Sequence, residues 1–159
     1  MPSGRSGTRR QDELSALDKR IIEHLQADGR RPFTQIATDL GVSEAAVRAR
    51  TNRLMERGIL QIVGVADPGK LGFQQTLIGI RCTPGRLIAV AEALALLPEV
   101  DYVVIATGRF DILIEMVAED NEALLRFLAE RLQAIDGVRD TESFTYLRLV
   151  KQTYQFGTR

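Results

Sequence analysis

The chain has 159 residues, 45% of them hydrophobic and 26% charged, with 21 basic and 21 acidic side chains and therefore no net charge. That apolar content can bury the core of one domain or of two small ones, whereas no apolar run approaches the roughly 20 residues of a membrane helix and the opening MPSGRSGTRRQDE lacks the apolar segment of a secretion signal. A lone Cys82 and a lone His24 exclude an internal disulfide and a Cys/His metal cluster, so a cytoplasmic protein without metal or cofactor is expected.

Charge divides unevenly. Residues 1–60 carry 11 Lys and Arg against 8 Asp and Glu, a balance of +3, and residues 61–159 carry 10 against 13, a balance of −3. A cationic first half suits a polyanion and an acidic second half avoids one.

Residues 1–13 are polar, Gly/Ser-rich and carry Arg5, Arg9 and Arg10, which predicts a disordered basic leader. Ser15 and Asp18 stand in capping-box spacing, and Leu17, Ile21 and Leu25 recur every four residues, which predicts a first helix ending near Asp28 and Gly29. Pro32 fixes the entry to a second helix, Thr34 to Leu40, which Gly41 ends. Ser43 is then a natural N-cap, with Glu44 placed against the positive end of a third helix. On it Val47, Thr51 and Leu54 share a buried face; Ala45, Arg48, Ala49, Asn52, Arg53 and Glu56 project outward.

That outer face is small, polar or cationic. Small residues let a helix approach base edges, Arg48 and Arg53 reach phosphates or guanine acceptors, and Asn52 offers an amide suited to adenine. The residues assigned to DNA are therefore Ser43, Glu44, Ala45, Arg48, Ala49, Asn52 and Arg53; the alternative is an ordinary solvated helix face. Arg50, at the edge of the buried stripe, reads as a packing or ion-pair residue first. Helix, Gly turn, Ser cap and Arg-bearing helix within 25 residues form a helix-turn-helix, over a core of Leu17, Ile21, Leu25, Ile36, Leu40, Val47 and Leu54.

Past Gly58, the aliphatic run Ile59, Leu60, Ile62, Val63 and Val65 predicts a short strand or hairpin, the wing of a winged helix, before a hinge over residues 66–73. From Gln74 the pattern becomes strand (Leu77 to Cys82), helix (Ile88, Ala91, Leu94 and Ala95 on one side), strand (Val100 to Ala106), strand (Phe110 to Val117), helix (Leu124, Leu128 and Leu132, extended by Leu125 and Ile135) and a last strand from Val138 to Val150. Strand, helix, strand, strand, helix, strand is the ferredoxin-like βαββαβ sandwich, an antiparallel sheet with helices on one face. Its strands are apolar on both sides, so the uncovered face is expected to join two copies in a homodimer, which would also present two recognition helices at once.

Both halves and their order resemble the Lrp/AsnC family of transcriptional regulators. The stretches that carry the resemblance are LDKRIIEHLQADGR at 17–30, QIATDLGVSEAAVRARTNRLMERGIL at 35–60, DPGKLG at 67–72 and GRFDILIEMVAED at 108–120, with Ser15 where the family favours Asp. The resemblance implies an α+β chain: a winged helix-turn-helix domain over 14–65, a linker over 66–73 and a RAM domain over 74–159 that binds a small effector, often an amino acid, between dimers that assemble into an octamer. Carried over residue by residue, it points to Gly108 and Asp111, with Thr141 and Ser143 at the start of the last strand. Arg109 is added because a guanidinium there could meet a carboxylate, as Asp111 could an ammonium; the turn itself could equally account for Gly108 and Asp111.

The expected partners are double-stranded DNA, a small effector and further copies of the chain. An architectural DNA-compacting protein of weak specificity is the alternative. An enzyme is not expected, because no cluster of nucleophile, base and orienting group is visible.

Overall fold

The computed structural model describes residues 14–155, in two compact units: one built from the chain up to Val65 together with residues from Gln152, the other from Ala66–Lys151. The basic leader lies outside the described residues.

In the first unit three helices follow in order: α1 (Ala16–Ala27), α2 (Phe33–Leu40) and α3 (Glu44–Glu56). Ser15 starts α1 through a reciprocal box, its hydroxyl accepting from the Asp18 amide at 3.1 Å while the Asp18 carboxylate accepts from the Ser15 amide at 3.2 Å. Gly41 ends α2 in the left-handed region, φ 67°, and lets the Val42 amide return to the Ala37 carbonyl at 3.0 Å. Ser43 Oγ then accepts from the Ala46 amide at 3.2 Å and starts α3. The two helices are thus joined through three residues of turn chemistry, Gly41 to Ser43.

Ile21, Ile22, Leu25, Ile36, Ala37, Val47, Leu54 and Leu60 form the buried core, with Leu17 and Leu40 packed at its margin. Leu60 does not belong to a wing. The Ile59 and Leu60 amides both return to the Leu54 carbonyl, at 2.9 and 3.2 Å, which folds Leu60 under α3. The β element expected over Ile59–Val65 is not formed. Those residues carry strand-prone side chains, but no segment among the described residues offers them a ladder.

The second unit opens with a one-turn 3-10 helix, Pro68–Leu71, capped by Asp67, so the hinge expected over 66–73 is ordered as part of that unit. Then come β1 (Gln74–Cys82), α4 (Leu87–Ala95), β2 (Val100–Ile105), β3 (Ile112–Ala118), α5 (Asn121–Arg126), which runs on as a π-helical turn (Phe127–Leu132), and β4 (Val138–Thr145). The sheet order is β2-β3-β1-β4 with every neighbouring pair antiparallel, the split βαβ arrangement.

One sheet face is closed by the helices over Ile78, Ile80, Ile112, Ile114 and Met116, joined by Val90, Leu94, Phe127 and Leu132. Ile88 and Leu125, expected on the buried stripes, are 58% and 57% exposed; Val90 and Phe127 hold the core positions instead. Residues 146–151 lie beyond β4, so the last strand is shorter than expected, although the Tyr146 amide still donates to the Gln75 carbonyl at 2.9 Å.

Candidate nucleic-acid interface and effector turn

On α3 the inward residues Val47, Thr51 and Leu54 are each 1% exposed or less, which turns the rest of the helix to solvent. Ala45, Arg48, Ala49, Asn52 and Arg53 are all exposed, as is the capping Ser43. Glu44, Ala45, Arg48, Ala49 and Asn52 line one shallow concavity. Six of the seven residues that sequence assigned to DNA therefore stand on open surface, and Glu44, half-buried, edges the same concavity.

Neighbouring side chains restrain the cations of this face and its edge. Arg48 Nη2 donates to Glu44 Oε1 at 2.6 Å, and its guanidinium lies 5.3 Å from the centre of the Phe33 ring at the start of α2. Arg50 Nη1 donates to Asp18 Oδ1 at 2.9 Å and to Ser15 Oγ at 3.1 Å, while Arg53 stands 3.9 Å from the same carboxylate. Arg50 is thus the ion-pair residue its sequence position suggested. Asp18, 6% exposed, serves two helices at once: it closes the start of α1 and anchors α3. Burial pushes its carboxyl up, but the hydrogen bonds from Ser15 and Arg50 and the Arg50 charge prevail and hold it below the usual carboxylate value. Neither Phe33 nor the second role of Asp18 was visible in the spacing, since both act across helices.

The five effector candidates are not gathered in one place within the chain. Gly108, at φ 125°, and Arg109 are exposed in the loop between β2 and β3. Arg109 Nη2 pairs with Glu142 Oε2 at 2.8 Å, and its guanidinium lies over the Phe110 ring, 5.4 Å from the ring centre. Asp111 Oδ2 accepts from the Cys82 amide at 2.7 Å, where the β1–β4 register shifts, so this carboxylate secures the end of β1. Its charge, with burial first, raises the Cys82 thiol. Thr141 and Ser143 pair with Ile80 and Ile78 and so lie on the helix-covered side, opposite Arg109 and Glu142. A cleft of about 640 Å³ beside Glu99, Met116, Arg126, Phe127 and Arg131 contains none of the five.

The uncovered sheet face carries Leu77, Gly79, Tyr102, Val104, Leu113, Glu115, Val117, Glu142 and Phe144. Phe110 lies flat against Gly79, where an added Cβ would meet the ring at 2.5 Å, and contacts Phe144 edge to face at 6.3 Å. Tyr146 donates its hydroxyl to Glu115; burial and that carboxylate push the phenol up to about 12. Among the described residues there is no group of three metal-ligating side chains, and no helix is long and apolar enough to cross a membrane.

Comparison with known proteins gives consistent matches to both units. Residues 14–55 match the family described as AsnC-type helix-turn-helix domain, and residues 75–156 the one described as Lrp/AsnC ligand binding domain. An uncharacterised HTH-type transcriptional regulator of Pyrococcus abyssi is 36% identical over 147 residues, 91% of this chain and 93% of its own length. The HTH-type transcriptional regulator LrpA of Pyrococcus horikoshii is 38% identical over 127 residues, covering 79% of this chain and 90% of that protein. The crystal structure of the Mycobacterium tuberculosis leucine response regulatory protein, LrpA, superposes with a TM-score of 0.80 at 25% identity, over 90% of this chain and 99% of that one.

Proposed function

The chain belongs to the Lrp/AsnC family of helix-turn-helix transcriptional regulators, and we propose that it recognises specific DNA sequences by laying the outer face of α3 in the major groove. It is a DNA-binding regulator with a ligand-binding domain and not an enzyme. One observation carries the reading: Glu44, Ala45, Arg48, Ala49 and Asn52 surround a single open concavity on a helix whose other side is fully packed. Asn52 and Arg48 are the base readers, Arg53 a phosphate contact, Ala45 and Ala49 the gaps that admit the helix.

The remaining features belong to the same reading. The uncovered face of the sheet joins two copies, because its half-buried Leu77, Val104, Leu113 and Val117 and its exposed Tyr102 and Phe144 are an apolar surface that no helix of the second unit's described residues covers. A small effector, with an amino acid the first class to try given the name of the mycobacterial neighbour, binds near Gly108, Arg109 and Asp111 between dimers. Since Thr141 and Ser143 face away from Arg109, a site using all five takes them from more than one copy, in keeping with assembly to an octamer. The cytoplasm is its place of action.

The test is binding to a random-sequence duplex library, with sequencing of the bound fraction at several salt concentrations. Arg48→Ala and Asn52→Ala should each erase preference at one position per half-site, at a cost of roughly 1–3 kcal/mol, whereas Arg53→Ala should weaken all sequences alike and lower the salt slope by about 1. A steep salt slope with no preferred sequence would convert the reading into DNA compaction. Sedimentation with a panel of amino acids tests the effector: identical assembly with every one of them removes it.

A further inference from the structure

We propose that Phe33, on α2, is a positioning residue for base reading: its ring and Glu44 clamp Arg48 in the attitude in which the guanidinium meets DNA. The inference rests on Arg48 reading a base, as set out above.

Arg48 is 59% exposed in its side chain, so its guanidinium is accessible, yet it is held on two sides. Glu44, four residues earlier on the same helix, takes one nitrogen at 2.6 Å, in the favourable order of acid before base. The Phe33 ring, 5.3 Å away, lies beneath the guanidinium from another helix. An unrestrained Arg would give up much rotamer freedom on making a two-pronged base contact, and a guanidinium already held over a ring and by a carboxylate gives up less. Phe33 is itself fixed, because it packs against the first unit's core. The attitude of Arg48 is therefore set by the α2–α3 angle, and through it by the turn at Gly41. The same ring would not position a lysine, whose ammonium lacks the planar fork.

Loss of an exposed ring-to-guanidinium contact is worth roughly two- to fivefold in binding. In the library experiment, Phe33→Leu should lower the preference by that factor at the same base position that Arg48→Ala erases and leave the other positions unchanged. Phe33→Tyr, which keeps the ring, should retain it; Arg48→Lys should lose it; and Phe33→Leu added to Arg48→Ala should change nothing further. Phe33→Met, which fills the space without a ring, stands in if the Leu variant does not fold. The proposal is overturned if Phe33→Leu or Phe33→Met leaves that position intact, or if it weakens every sequence uniformly. Should Arg48→Ala erase no position, the base-reading assignment falls and the clamp with it; should Arg48→Ala erase one and Phe33→Leu spare it, only the clamp falls.

Discussion

The outer face of α3 and the uncovered face of the sheet are both open surfaces, yet they are finished in opposite ways. On α3 the apolar residues are turned inward and the outer positions are small, polar or cationic, with the charges held from neighbouring helices by Asp18 and Phe33. On the sheet, apolar side chains remain on the open side, and the polar groups there are tied to one another, Arg109 to Glu142 and Tyr146 to Glu115. A surface of exposed cations between small and polar side chains suits a polyanion with readable edges. A surface that leaves apolar area open suits a second surface of its own kind.

The comparison implies that the two regions fail separately. The largest effect is expected for Asp18→Ala, which removes the reciprocal half of the capping box of α1 and leaves Arg50 without its carboxylate, costing roughly 2–4 kcal/mol. Hydrogen exchange followed by mass spectrometry should show faster exchange across α1 to α3 with the sheet unchanged; equal acceleration in β1 and β3 would break the separation. Gly79→Val should act on the other side. Its side chain would displace the Phe110 ring, which a Cβ already meets at 2.5 Å, at a cost of about 1–3 kcal/mol confined to the second unit and read from the same exchange experiment.

A pH dependence of at most about 2 kcal/mol follows from Tyr146. Its folded value, about 12, lies above the ordinary 10.0, so its contribution is complete below pH 10 and is lost as pH rises toward 12. Alkaline unfolding of Tyr146→Phe should lack that component, and an unchanged profile would discard the role of Glu115. The smallest effect has the opposite sign: Thr51 Oγ1 is buried without a hydrogen-bond partner among the described residues, so Thr51→Val should stabilise the first unit by about 1 kcal/mol in chemical denaturation.

What could be read in the sequence was what local spacing determines. The α3 face was legible because a three- and four-residue period separates Val47, Thr51 and Leu54 from Arg48 and Asn52 whatever else the chain does. The order of strands and helices was legible for the same reason. Ile88 and Leu125 were misassigned because both helices are apolar on more than one side, and the π-helical turn from Phe127 breaks the regular period. The wing was misread because strand propensity supplies no partner strand. The sides taken by Thr141 and Ser143 depend on the register of β4 against β1, and the contact of Phe33 with Arg48 on an interhelical angle; neither is written in a single segment.

Asp18 both closes the capping box that starts α1 and tethers α3 through Arg50, so the attitude of α3 is inherited from the first turn of α1. A shortened protein that begins after Asp18 would keep every residue of the helix-turn-helix and still lose the tether of α3. The same economy limits adaptation: no substitution at position 18 can retune one helix without disturbing the other, which leaves the solvent side of α3 as the place where binding preference is free to drift.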